Sequence, residues 1–488
     1  MTRVPGRQYR VLPSRQLRGR PHVAAGCAGI EKACTAMNII YIGMSGIRAA
    51  NQSLLAASQN TANIATAGYS RRGVLLSTGL TGGVDASGLL RLNESYKTQQ
   101  LWQAAGQYGR YDAAQTYFDQ LEALFGGNPV DGKTQANDLG FGKFIGALEA
   151  ASGDPGDSVL RNGVIDAANS MTKQFNNMRS VLTNQLRSIE QQRVTTVEQV
   201  NGLAKTVAEL NGKIAAGQAS GADVSALMDQ RDAAVDDLSR FAGVRVVQQA
   251  NGSVDVSMAN GQPLVVGAQA GKIELGRDAA GQQTLSLTFG SQVMPLRAAS
   301  LGGELLGLAE FEEEVLRPQM EALRTLAVRT AELINDQLTQ GFDMNGNPGK
   351  PLLTYDAATG LLGVDPSVKP EELGFSGDPA NPGDNSNLLA LIEIGSTSVD
   401  LPGIGDVSLG NAFATMMGKV GAASQQNKQA KGAAEAVRGQ AELDWYSVSG
   451  VDRDEEVMNM LRFKDMYNAN MKVIAVASEL FETTLNSL

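Results

Sequence analysis

The side chains able to do chemistry in this 488-residue chain are few, and their spacing suits no reaction. Asp343-x-Asn345-x-Asn347 resembles the opening of a calcium loop, where oxygens at alternate positions converge on a hard cation. Such a loop needs glycine at its sixth position and a bidentate acid at its twelfth. Pro348 and Thr354 stand there instead, so the stretch reads as a turn. Glu312-Glu313-Glu314 offers three carboxylates, but consecutive residues of a helix point in three directions, and a solvated face is expected. Gly403-x-Gly405 lacks the third glycine of a dinucleotide-binding turn. The two cysteines, Cys27 and Cys34, and the one histidine, His22, all precede Met37. From Met37 onward there is no thiolate nucleophile, no Ser-His-Asp triad, and no thiolate or imidazole to hold zinc. Disulfides are excluded there too. The expectation is a protein with no catalytic, cofactor or metal residues, not an enzyme, which works through its surfaces.

Composition agrees. A hydrophobic content of 43% supports sizeable cores, while aromatics are only 5% and glycines number 55. That balance suits helices packed closely over small residues. No run of eighteen apolar residues occurs, so no membrane insertion is expected. A net charge of −10 without a basic stripe gives nucleic acid no footing. Residues 1–36 stand apart: seven cations against Glu31 give them +6 and leave the remainder at −16. They read as an extension, either from a start called upstream of Met37 or as a disordered arm. No apolar core with a small-residue cleavage site marks them as a secretory signal.

The surfaces are carried by two terminal helices. The last forty residues hold one heptad register: Val457, Met460, Lys464, Tyr467, Met471, Ile474, Ser478, Phe481, Leu485, Leu488. A second stripe runs beside it through Phe463, Met466, Val473, Ala477 and Leu480. A helix with two apolar seams must pack on more than one neighbour. At the other end, Met37 to Ser70 carries a single charge, Arg48, and the register Gly43, Ile47, Ala50, Leu54, Ala57, Thr61, Ile64. Gly68, beside Tyr69, is its natural left-handed stop. The two helices are expected to pair as a coiled coil. Asn60 and Asn63, on one face, either fill a polar seam or set helix register between subunits.

Between these ends the period changes in order. Residues 71–90 read as extended connector. A helix over 91–125 breaks at Gly126-Gly127-Asn128-Pro129, and a short one follows over 138–151. The longest helix runs from 158 to about 216, roughly 85 Å, with Gly202 and Gly212 as places to kink or end. Asp223 caps a shorter helix. From 244 the period becomes two, with hairpin turns at Asn251-Gly252 and Asn260-Gly261. Helix resumes over 303–340, kinked at Pro318. Residues 341–384 read as loop, followed by helices near 386–394 and 408–445. Asp452 and Glu455 can form a capping box for the closing helix. The fold class is mainly α: terminal helices paired as a coiled coil (37–90 with 440–488), a central long-helix bundle (91–243, 300–340 and 385–439), a small inserted antiparallel β domain (244–299), and a loop-rich insert (341–384).

Ser58-Gln59-Asn60-Thr61-Ala62-Asn63-Ile64-Ala65-Thr66-Ala67-Gly68-Tyr69-Ser70-Arg71-Arg72 resembles the N-terminal signature of flagellar axial proteins: rod, hook and hook-associated proteins. The shared core, Asn-x-x-Asn-x-x-Thr-x-Gly-Tyr/Phe, falls on Asn60, Asn63, Thr66, Gly68 and Tyr69. The Gly-Tyr-Ser-Arg ending is similar to the hook-associated protein 1 family in particular. Three further stretches agree in order: Leu227 to Ser239, Gly341 to Asn347, and Ser449 to Phe481. The resemblance covers about 37 to 488. It implies a structural subunit that joins the hook to the filament outside the cell and is exported without signal cleavage. It implies as partners hook protein, the second hook–filament junction protein, copies of itself, and an export chaperone on the C-terminal helix. On this reading Ile47, Leu54, Asn60, Asn63, Ile64, Gly68, Tyr69, Val457, Met460, Tyr467, Met471, Ile474, Phe481 and Leu485 form the assembly interface. The alternative is a self-trimerising coiled-coil fibre or adhesin-like protein.

Overall fold

The computed structural model describes residues 21–79, 82–125 and 138–486. The arginine-rich positions 3–20, the break at 126–129 and the last seam residue, Leu488, lie outside the described residues. The chain divides into two compact units: 1–93 with 446–488, and 94–445. The β region and the 341–384 segment fall in the second unit together with the bundle helices.

Helix α1 (Pro21–Ala62) starts well before Met37. Pro21 needs no N–H partner as the first helical residue, and the alanine-rich stretch behind it favours helix. The 71–90 connector is a hairpin, β1 (Arg72–Thr78) with β2 (Val84–Arg91), paired antiparallel. Gly83, at φ +92°, lets the hairpin backbone approach α1 closely, where the Val84 N–H donates to Ser45 Oγ at 3.0 Å.

The second unit opens with α2 (Ser95–Phe125), α3 (Phe141–Ser152) and α4 (Ser158–Ala219). Neither Gly202 nor Gly212 interrupts α4, which runs 62 residues without a break. Glycine lowers helix stability by only about 1 kcal/mol, and the flanking buried positions Val200, Ala204, Val207, Leu210 and Ile214 hold the helix on its core. Helix α5 (Ser225–Ala242) follows, its start fixed by the Ser225 N–H donating to Asp223 Oδ1.

Strands β3 (Arg245–Gln248), β4 (Val254–Ser257), β5 (Pro263–Val266) and β6 (Gln269–Ala270) form one antiparallel sheet. Strands β7 (Lys272–Arg277), β8 (Gln283–Phe289) and β9 (Gln292–Leu296) form another. The turns at Asn251-Gly252 and Asn260-Gly261 hold Gly252 and Gly261 at positive φ, as hairpin turns require. These sheets share a core with the second half of α4 and with α5, through Val200, Val207, Leu238, Val256, Leu264 and Leu287.

Helix α6 (Gly303–Glu310) continues through a π-helical turn, Phe311–Leu316, into α7 (Arg317–Gln340). The irregularity expected at Pro318 takes this form. Proline cannot donate and its ring crowds the carbonyl four residues back, and the Arg317 N–H reaches Glu312 O, five residues away. The wider turn directs Glu312 inward. This corrects the solvated face expected for Glu312: it is 5% exposed, accepts from Arg193 Nη2 at 2.5 Å and is also held by Arg317. Then come β10 (Leu353–Asp356), β11 (Leu361–Val364) and α8 (Ser386–Glu393). The hairpin of β12 (Ser398–Leu401) and β13 (Gly405–Ser408) turns at Pro402-Gly403. The 343–347 stretch is a turn in which Asp343 Oδ1 accepts the N–H groups of Asn345 and Asn347. The other half of α4 packs with α3, α7 and α8 through Phe144, Met171, Phe175, Leu326, Ile334 and Leu391.

Helix α9 (Ala412–Ser449) starts and ends four residues beyond the expected 408–445 and so absorbs Tyr446, Ser447 and Val448. Helix α10 (Arg453–Asn486) closes the chain. Asp452 Oδ1 caps it by accepting from the N–H groups of Asp454 and Glu455. Glu455 does not close the box, because Arg71 holds its carboxylate.

One device recurs. Helical asparagines use their amides as the missing partner of a strand edge, accepting an N–H and donating to a carbonyl. Asn176 does this for Leu362, Asn201 for Ile273 and Asn211 for Val254. Buried backbone polar groups must be satisfied, and the asparagines do so where no further strand is available.

Candidate assembly site

The first unit is built on α1 against α10, antiparallel. The buried face of α1 is small: Gly43, Gly46, Ala49, Ala50, Ser53, Ala56, Ala57 and Asn60. Small residues let two helix backbones approach closely. A Cβ on Gly43 would stand 2.7 Å from Ile474 Cγ1, and one on Gly46 would overlap the Asn470 amide. The facing seam of α10 is Glu456, Met460, Phe463, Tyr467, Asn470, Ile474, Ala477 and Phe481. Its steps alternate four and three, as a coiled-coil seam requires.

Half of the expected seam on α10 therefore faces α1: Met460, Tyr467, Ile474 and Phe481, all half-buried. The other half does not. Val457, Met471 and Leu485 turn outward, with Leu485 59% exposed. Glu456, Phe463, Asn470 and Ala477 take the inner positions. Polar Glu456 and Asn470 obscure this register in the sequence. Gly46 makes room for one and Arg71 neutralises the other. On α1, Ile47 and Leu54 are half-buried on the flank; the helix ends at Ala62, so Ile64, expected on the same seam, lies in the turn beyond it and is exposed.

The Asn-to-Tyr signature folds onto itself. Asn60 is 1% exposed. Its amide donates to Arg72 O at 2.8 Å, and its oxygen accepts the Arg72 N–H at 2.8 Å and the Tyr69 hydroxyl at 2.9 Å. It is the strand-edge device again, fixing the first residue of β1 to the end of α1. Asn63 donates to Gln59 O and accepts from Thr66 Oγ1, closing the last turn. Gly68 sits at φ +74°, turning the chain back so that Tyr69 reaches Asn60. The Arg72 guanidinium lies over the Tyr69 ring, 5.3 Å from its centre.

Arg71 joins this knot to α10. Its N–H donates to Ser449 O at 2.8 Å, and its carbonyl accepts from the Leu92 N–H. Its guanidinium donates to Glu456 Oε1 at 2.7 Å and to Glu455 Oε1 at 2.8 Å. Burial works against its charge, but the hydrogen bonds and attraction of Glu455 and Glu456 outweigh that and raise its pKa. In the sequence Arg71 stands only within the Ser58–Arg72 signature, and no local feature pairs it with Glu456. The four-three spacing from Glu456 to Met460 and Phe463 is the signal that places it on the seam.

Pairing leaves much apolar surface in water. Met458, Leu461, Met471, Val473, Val476, Leu480 and Leu485 remain exposed on α10, as do Tyr41, Ile42, Met44 and Leu55 on α1. Ile39, Val473, Val476, Ala477 and Leu480 line an apolar groove of about 270 Å³. Among the described residues no helix is long and apolar enough to cross a membrane.

Residues 119–353 match the family model described as Flagellar hook-associated protein FlgK helical domain, and residues 446–488 match Flagellar basal body rod FlgEFG protein C-terminal. Flagellar hook-associated protein 1 of Escherichia coli (strain K12) is 25% identical over 551 aligned residues, covering 92% of this chain and 99% of that protein. Its counterpart in Bacillus subtilis (strain 168) is 23% identical, covering 93% and 99%. The structure of the flagellar hook junction protein FlgK from Burkholderia pseudomallei shares the fold: TM-score 0.61, 19% identity, 72% of this chain and all of that one. Terminal helices with a knotted axial signature, enclosing a helical domain of this type, define a structural component of the bacterial flagellum. Within that class, the chain is similar along nearly its whole length to flagellar hook-associated protein 1, and its residues 119–353 match that protein's helical domain.

Proposed function

We propose that this chain is the subunit that joins hook to filament, and that it polymerises through α1 and α10. The observation that carries this is the apolar face left over after the two helices pair: Met471, Val476, Leu480 and Leu485 on one, Tyr41, Met44 and Leu55 on the other. So many large apolar side chains left in water on one helix pair mark an interaction surface. The inner seam serves the partner helix and the outer face serves neighbouring subunits. Those neighbours are copies of itself, hook protein on one side and the second junction protein on the other. The same face of α10 is what an export chaperone covers beforehand. The working location is outside the cell, reached by export without cleavage of a signal.

Paired aspartate substitutions test this. Val476→Asp changes a residue that is 57% exposed, so the free protein keeps its fold, at a cost within about 0.5 kcal/mol. Burying that carboxylate between subunits costs several kcal/mol, so cells carrying it lack filaments. Ile474→Asp strikes the inner seam and disorders the α1–α10 pair itself. Motile cells with Val476→Asp would overturn the reading. A stable trimer of the free wild-type chain in sedimentation would favour the fibre alternative.

A further inference from the structure

The second unit contains a cleft, of about 550 Å³, between α4, α7 and the β10–β11 hairpin. It falls within the size of ligand sites, roughly 300–1,000 Å³. Its floor is apolar, from Phe175, Leu182 and Leu362, and three arginines line it: Arg179, Arg317 and Arg324. One acid, Glu321, shares the lining. The cleft is thus locally cationic in a chain of net charge −10.

The three cations differ. Arg324 is engaged by Glu321 through Nε at 2.9 Å and Nη2 at 2.5 Å. Arg317 uses Nε and Nη2 on Glu312 and leaves Nη1 unbonded among the described residues. Arg179 is half-buried, and its guanidinium has no hydrogen-bond or ion-pair partner among the described residues. Its position is built. Gly360, at φ +69°, makes the turn between β10 and β11, and a Cβ there would stand 2.8 Å from Arg179 Nε. Glycine meets the backbone requirement and clears the space the guanidinium occupies. A cation stripped of part of its water and given no counter-charge is a standing cost. A guanidinium presents a planar fork that matches a carboxylate.

We propose that this cleft binds a carboxylate carried on a small apolar body, with Arg179 as its anchor and the Phe175–Leu182–Leu362 floor taking the apolar part. Arg317 Nη1 supplies a further donor. The chemistry is the same for a free organic acid and for an acidic side chain beside an apolar one in a peptide. The site lies outside the unit formed by the terminal helices, so its test is independent of assembly.

Titration calorimetry on the full chain tests it with four probes: 3-phenylpropionate, the blocked dipeptide acetyl-Phe-Asp-amide, neutral 3-phenylpropanol and inorganic phosphate. At least one of the two carboxylates saturates the protein, and phenylpropanol binds at least about tenfold more weakly. Tighter binding of the dipeptide assigns the site to a partner segment; tighter binding of phenylpropionate assigns it to a small molecule. Arg179→Met weakens the carboxylate at least about tenfold with an unchanged circular dichroism spectrum, and Arg179→Lys falls between. The proposal is overturned if neither carboxylate saturates by about 10 mM, a range far weaker than ordinary ligand affinities. Tighter binding of phosphate than of both carboxylates also overturns it, as does folded Arg179→Met protein that binds as well as wild type.

Discussion

Replacing Arg71 should loosen the terminal unit far more than replacing the acid it holds. The Glu456 side chain is 2% exposed and its ion pair is with Arg71. In Arg71→Ala that carboxylate stays buried without its cation, and breaking a buried pair this way costs about 3–5 kcal/mol. The Arg71 side chain is 19% exposed, so water reaches the site and the lower end, about 3 kcal/mol, applies. The Glu455 arm adds little. That carboxylate is 55% exposed, and exposed pairs contribute about 0–1 kcal/mol. Glu456→Gln leaves a cation that can turn toward water and Glu455, so about 1 kcal/mol is expected. Hydrogen exchange of the amides in α1 and α10 reads this locally. A loss of about 3 kcal/mol speeds exchange roughly a hundredfold, while the 94–445 amides are unchanged. The double variant Arg71→Ala with Glu456→Gln should recover part of the loss. Equal, small effects from Arg71→Ala and Glu456→Gln would refute the buried-pair reasoning.

Two glycines should respond in opposite directions. Gly46→Ala places a methyl group in the Asn470 amide and should separate α1 from α10, measured as lost protection of both helices and lost motility. Gly202→Ala meets nothing within 4 Å inside α4 and should raise the melting point of the helical unit, by about 1 kcal/mol of stability. Asp236 should make that unit less stable as pH rises. Burial pushes its carboxyl up from 3.8 to about 6, with Asp237 and Glu442 pushing the same way and Arg438 and Arg240 opposing. The folded state therefore binds this proton more tightly than the unfolded one, so stability falls as pH climbs from about 4 to about 6 and stays lower above. Asp236→Asn should flatten that part of the stability–pH curve, as urea titrations between pH 4 and 8 would record.

Much of this was legible because period and chemistry agree there. The switch from helical to two-residue period at Gly243, the hairpin turns at Asn251-Gly252 and Asn260-Gly261, and the long α4 all follow from local pattern. The pairing of the terminal helices was legible as well, but its register was only half so. A glutamate and an asparagine hold inner positions on α10, and their partners, Arg71 and Gly46, lie hundreds of residues away in the sequence. The burial of Glu312 is hidden from the sequence for the same reason. A π-helical turn and an arginine on another helix decide its burial, and neither is local. The asparagine clamps at 60, 176, 201 and 211 look like ordinary polar helix positions until the strands they complete are in place. Gly202 and Gly212 mislead in the other direction, because packing of their neighbours overrides a weak intrinsic preference.

Cysteine cross-linking tests the central claim most directly, because the chain from Met37 onward has no cysteine of its own. In a background with Cys27→Ser and Cys34→Ser, single substitutions Met471→Cys, Val476→Cys and Leu485→Cys each place a thiol on the outward face of α10. If that face joins subunits, oxidation of isolated flagella should link copies of the chain to one another or to a neighbouring flagellar protein through at least one of these positions, while the dilute free protein stays uncross-linked. Motile, normally assembled flagella in which none of the three forms a cross-link would contradict the account.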